Sequence, residues 1–163
     1  SQRRMNMRRN DRAQDRAFSL ELIDRCTHGV MALSTGEALP YCLPLSFVRI
    51  GDSLCFHCAR EGRKVDLLRR FPQVCVTFVG DDRPVFVPPA MYSTWFQSVI
   101  VTGTAEEVTD PAEKTEALRA LCQKLTPEHM DGFLSAAEKS LAVTAVWKVR
   151  MEDISAKAKL KTT

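Results

Sequence analysis

The chain is poor in glycine. It has seven, and none of them builds a G-x-G-x-x-G or Walker loop, so the two glycine-rich nucleotide cradles are excluded. It also lacks long apolar runs: none approaches the ~20 residues of a membrane helix, and no spanning segment is expected. The basic N-terminus has no apolar core behind it, so no secretory leader is expected. Aromatic residues make up only 7%, and none is interleaved with the N-terminal arginines. With no helix-turn-helix or zinc-finger pattern following, nucleic acid is not the expected partner. Internal repeats and low-complexity segments are absent. The six cysteines show no disulfide-framework spacing; all but Cys58 fall in apolar patterns and read as buried thiols of a reducing cytoplasm. A zinc site at Cys55, His57 and Cys58 is a further alternative but not the expected one. Strand alternation puts Cys58 opposite the other two, and no second ligand pair follows at zinc spacing.

What is present suits one globular domain. The 163 residues are 45% apolar and 26% charged, with a net charge of +3. Residues 1–18 read as a basic arm, with Arg3, Arg4, Arg8, Arg9, Arg12 and Arg16 against Asp11 and Asp15. Residues 19–163 read as the domain.

Taken in order, Ser19 is positioned to cap a helix through Leu20, Leu22, Ile23 and Cys26. Val30–Leu33 is a short strand. Residues 40–50 form the next, and Pro44 inside it requires an edge, a bulge or a ligand at that point. Gly51-Asp52 turns it into Ser53–Cys58 as a hairpin. Gln73–Val79 alternates as a strand, residues 80–89 are loop-rich, and Trp95–Val108 is the longest strand. Gly103 within it predicts a bulge or a close backbone approach. Asp110-Pro111-Ala112-Glu113 opens a helix carrying Ala117, Leu118, Leu121, Cys122 and Leu125 on one face. Residues 141–151 make a final strand. Six strands without regular β-α alternation predict a mainly β fold, a small antiparallel barrel with peripheral helices.

One stretch stands apart. Strand 54–58 breaks at Gly62, and Val65, Leu67, Leu68 and Phe71 then recur at helical spacing until Pro72. Arg63 and Lys64 therefore occupy a helix first turn, where free N–H groups and the dipole already make the field positive. Two readings stand open: a site for an anion such as phosphate, or a solvated basic turn over a core helix.

Four segments together carry a family resemblance: Met7-Arg8-Arg9-Asn10-Asp11-Arg12, Leu39-Pro40-Tyr41-Cys42-Leu43-Pro44-Leu45-Ser46-Phe47, Phe56-His57-Cys58-Ala59-x-x-Gly62-Arg63-Lys64 and Phe96-Gln97-Ser98-Val99-Ile100-Val101-x-Gly103. In this order they resemble the FMN-binding split barrel of the pyridoxamine 5′-phosphate oxidase-like superfamily, nitroimidazole-resistance branch. The resemblance implies a six-stranded antiparallel split β-barrel and a cytoplasmic homodimer with FMN at the subunit interface. It implies that Arg63 and Lys64 hold the FMN phosphate. The backbone of Leu43, Pro44, Leu45, Ser46 and Phe47 would line the flavin ring, with Cys58 beside it. Ser98 would face the flavin near the phosphate from its own or the partner subunit, with Trp95, Phe96 and Gln97 at the interface. His57 matches a histidine near the flavin pocket, there to orient a small substrate or supply a proton; the other reading is a barrel histidine with its ring nitrogens satisfied. The tryptophan and arginine pattern with which the oxidase proper grips its substrate phosphate is missing near the C-terminus. An FMN-dependent oxidoreductase acting on a small, nitroaromatic-type acceptor is therefore expected rather than pyridoxamine phosphate oxidation. The alternatives are a non-catalytic flavin storage or sensing module and a haem- or deazaflavin-binding barrel.

Overall fold

A computed structural model describes residues 7–161. Its frame is an antiparallel sheet in the order β3-β2-β6-β8-β9-β5-β4. The strands are β1 (Ala13–Gln14), β2 (Gly29–Leu33), β3 (Tyr41–Leu45), β4 (Val48–Ile50), β5 (Ser53–Ala59), β6 (Gln73–Val79), β7 (Arg83–Val87), β8 (Met91–Glu107) and β9 (Thr144–Lys159). β1 adds to β9, and β7 makes a hairpin with β8. The helices are α1 (Arg16–Arg25), α2 (Arg63–Arg70), α3 (Pro111–Leu125) and α4 (Phe133–Ser140). No helix among the described residues is long and apolar enough to cross a membrane.

The two ends of the seven-strand path, β3 and β4, are joined through Ser46 and Phe47 alone. That link spans at most ~11 Å, whereas seven strands laid flat extend ~29 Å. The sheet must curl until its edges approach, and it stays split there because β3 and β4 do not pair. The Phe47 side chain fills the seam. It is fully buried, with Phe56 and Phe78 edge-on at 5.6 and 5.7 Å. Met31, Leu54, Val76, Val99, Val101 and Val149 fill the interior, and Leu22 and Ile23 of α1 pack against them. A second, smaller cluster lies outside β5, where α3 and α4 bring Leu118, Leu121 and Phe133 onto Val48, Cys55 and Val146. β5 is thus covered on both faces, which is why Leu54, Cys55 and Phe56 are buried in succession.

The expected split barrel is therefore present, with nine strands among the described residues in place of six. The strand expected over 40–50 is two strands, parted at Ser46-Phe47, and only Val48–Ile50 pairs with β5. β3 pairs with β2 on one side only, so Pro44 does stand on an edge strand. α1 starts earlier than expected. Asp15 caps it by accepting from the Phe18 N–H at 2.9 Å, while Ser19 is a buried helix residue donating to the Asp15 carbonyl. The cap at Asp110 is as read, but Glu113 binds Lys148 instead of reaching back to the cap. Residues 10–18, read as part of the basic arm, form a 3-10 turn, β1 and the start of α1; Arg3 and Arg4 lie outside the described residues.

The thiols are not uniformly buried. Cys42 is exposed because even-numbered positions of edge strand β3 point to solvent. Cys55 is buried, and that burial pushes its thiol up to about 11. Iodoacetamide at mildly alkaline pH is expected to label Cys42 first and Cys55 last. Peptide mass mapping over time checks this, and early labelling of Cys55 would show that the β5–α3 layer opens readily.

Candidate functional site

β5 delivers the chain to Gly62, whose φ of 137° is a conformation that side-chain-bearing residues rarely adopt. Gly62 is the N-cap of α2 and offers no side-chain acceptor. The first helical bond runs from the Asp66 N–H to the Gly62 carbonyl, so the N–H groups of residues 63–65 have no helical acceptor. Arg63 is exposed, and Lys64 is half-buried. The Arg63 guanidinium lies over the Tyr41 ring, 4.5 Å from its centroid. Lys64 stands near Cys58: burial raises that thiol and the Lys64 charge acts against the rise. Neither cation forms an ion pair among the described residues. Two unneutralised cations and unbonded N–H groups in one turn make a cradle for a small anion.

The Tyr41–Arg63 stack ties this cradle to β3. Along that strand Leu43 and Leu45 are half-buried, Pro44 and then Ser46 are exposed, and Phe47 turns fully inward. Phe47 can therefore offer a ligand its backbone but not its ring. That backbone is held from behind. Lys124 of α3 donates its Nζ to the Phe47 carbonyl at 2.9 Å and to the Ile23 carbonyl at 3.4 Å. Burial pushes the Lys124 ammonium below its ordinary range.

The remaining candidates lie elsewhere. Ser98 pairs with Val79 at the far end of β6, while α2 enters β6 at Gln73. Those ends are ~20 Å apart along the strand. In one copy of the chain Tyr41 and Cys58 stand with Arg63 and Lys64, whereas β3 runs from Tyr41, opposite Leu33, to Leu45, opposite Gly29, so that Phe47 lies against Phe78 at the end of the sheet where Val79 pairs with Ser98. Gln97 accepts from Arg25 at 2.7 Å, and Trp95 lies under Lys159. Ser98 lies in an outward depression of about 260 Å³ that it shares with Arg8 and Lys157. His57 is separate again. It projects from the β5 face opposite Phe56 and Cys58, at an apolar cavity of about 310 Å³ beneath α3 and α4. It is not an interior barrel residue.

Residues 15–158, nearly the whole chain, match the family model described as pyridoxamine 5′-phosphate oxidase. The chain belongs to the pyridoxamine 5′-phosphate oxidase-like family. Solved structures agree. A protein provisionally assigned to 5-nitroimidazole antibiotic resistance, from Bacteroides thetaiotaomicron, is 26% identical with a TM-score of 0.77, over 89% of this chain and 84% of its own. A flavocytochrome from Azotobacter vinelandii is 25% identical with a TM-score of 0.86, over 99% of this chain and 75% of its own. A FAD- and haem-binding protein from Mycobacterium smegmatis shares the fold at 20% identity, TM-score 0.76, over 91% and 74% of the two chains. Among curated proteins, no sequence matches.

Three residues that touch the candidate residues, Tyr41, Lys124 and Arg25, were passed over by sequence reasoning. Tyr41 was within reach, because it shares a strand face with Leu43 and Leu45. Lys124 and Arg25 gave no signal, since tertiary packing alone brings them to Phe47 and Gln97.

Proposed function

We propose that this chain is an FMN-binding flavoprotein that works as a cytoplasmic homodimer and transfers electrons to a small acceptor of nitroaromatic type. The observation that carries the reading is the Gly62 turn: two unpaired cations and free N–H groups beside an edge strand with an open backbone. The residues fit a flavin mononucleotide. Arg63 and Lys64 would hold the phosphate dianion, the Leu43–Phe47 backbone would meet the polar ring edge, and Cys58 would pack against it. Bound flavin would supply the redox chemistry; the protein's part is binding, orientation and exclusion of water. Lys124 holds the Phe47 carbonyl toward α3, so the segment presents one fixed edge. His57 lies on the β5 face opposite Cys58, beneath α3 and α4, so it is given no part in the acceptor step at the cradle of its own chain.

The homodimer is part of the proposal, because a second copy could bring Trp95, Gln97 and Ser98 to the cradle. The solved relatives whose names include flavin cofactors support the flavin itself.

The test is the visible spectrum and the mass of the purified chain after incubation with FMN. A yellow dimer holding one flavin per subunit is expected, and a colourless monomer would end the proposal. A haem-type Soret band would move the assignment to a haem-binding barrel. Anaerobic turnover of a nitroaromatic acceptor with a chemical reductant separates an oxidoreductase from a storage or sensing module. Tight FMN with no acceptor consumed would leave only the module.

A further inference from the structure

The cavity of about 310 Å³ between α3–α4 and the outer face of β5–β9 is not part of the anion cradle. Its walls are Leu118, Leu121, Leu125, Phe133 and Ala137, and no Asp, Glu, Lys or Arg lines it. A charged ligand would find no counter-ion there. Its polar lining is sparse and mostly committed. The Thr126 hydroxyl donates to the Cys122 carbonyl and the Ser140 hydroxyl to the Ala137 carbonyl. That leaves the His57 imidazole and the Thr144 hydroxyl turned to the cavity, beside the Cys122 thiol.

These two groups are placed together by strand register. His57 pairs with Val146, and Thr144 is two residues earlier on β9 on the same face. Their Cβ atoms are diagonal neighbours about 7 Å apart, so both can reach one edge of a single molecule. The cavity has a sheet floor, with His57 and Thr144, and a helix roof, with Leu118, Leu121, Phe133 and Ala137, and a flat ligand can lie between two such layers. Its volume is about twice that of a dry 150 Å³ protein cavity that accepts benzene; two fused rings are the matching size. Ala136 and Ala137 on α4 are what keep it open, since larger residues there would close it.

We propose that this cavity is a binding site for a small, neutral, planar aromatic of about two fused rings, its polar edge held by His57 and Thr144. The site goes beyond the flavin reading and does not depend on it, because occupancy is measured without electron transfer.

The test is calorimetric titration of the purified full chain with benzimidazole, and with indene as a probe of the same shape lacking nitrogen. One saturable benzimidazole site per chain is expected, with indene weaker. Ala137→Leu, which fills the cavity, and Ala136→Trp, which covers its exposed mouth, should each weaken benzimidazole at least about tenfold. His57→Ala should weaken benzimidazole about five- to tenfold, the loss of one hydrogen bond, and leave indene nearly unchanged. FMN absorbance read in the same samples separates the two proposals: lost flavin uptake with benzimidazole still bound defeats only the flavin reading. No saturable binding at millimolar benzimidazole would overturn the cavity proposal. So would wild-type affinity in both cavity variants; if Ala137→Leu does not fold, the surface variant Ala136→Trp decides alone.

Discussion

Replacing Arg63 and Lys64 together by alanine should weaken FMN binding at least about 100-fold while leaving the fold intact. A hydrogen bond to a charged group contributes about 1.5–3 kcal/mol, and two are lost, which corresponds to about 3–6 kcal/mol or two to four decades in affinity. The fold should not suffer. Both cations sit at a helix N-terminus, where they oppose the dipole and have no carboxylate partner among the described residues. Removing them should raise the thermal midpoint of the flavin-free protein slightly. Fluorescence quenching of FMN gives the affinity, and differential scanning calorimetry gives the midpoint. Unchanged affinity with an unchanged midpoint would show that the turn is only a solvated basic surface.

The largest stability loss is expected at Gly103. A Cβ built there would lie 1.9 Å from the Arg150 carbonyl oxygen and 3.2 Å from a Val149 methyl. The first obstacle is backbone, so no rotamer change relieves it. The cause is a β-bulge. Thr102 pairs with Asp153 but Gly103 pairs with Met151, so Glu152 is an extra residue that pushes β9 toward β8. Gly103→Ala must part the longest strand pair of the sheet, and should cost on the order of 3–5 kcal/mol of the ~5–15 kcal/mol that hold a domain folded. Gly132→Ala is the control. No atom lies within 4 Å of its Cβ position and its φ is ordinary, so about 1 kcal/mol at most is expected from the weaker N-cap. Urea unfolding of both variants decides the matter, and a Gly103→Ala midpoint close to wild type would show that β9 gives way easily.

The same bulge explains a limit of sequence reading. Before it, Ala145, Trp147 and Val149 face inward; after it, Ile154, Ala156 and Ala158 do. Alternation switches from odd to even positions at Glu152, so a period-two pattern ends at Met151 although the strand runs to Lys159. β7 was hidden for another reason: Pro84, Pro88 and Pro89 mark it as loop, and an edge strand paired only with β8 tolerates proline where a central strand does not. The readable elements were those with local causes. The Gly62 break, the α2 periodicity, the Asp110-Pro111 start of α3 and the glycine within β8 each follow from the conformational rules of one or two residues.

The Gly62 turn and its two cations could be placed from the amino acids alone, because a glycine followed by two cations is a matter of neighbours in the chain. Which residues share that cradle could not. Curling of the sheet brings Tyr41 over Arg63 and Lys124 behind Phe47, strand register puts Ser98 beside Val79 at the opposite end of β6 from Gln73, and the face of β5 sends His57 beneath α3 and α4 instead of inward. Distances between residues far apart in the chain depend on how every strand between them is paired, and no local pattern encodes that sum.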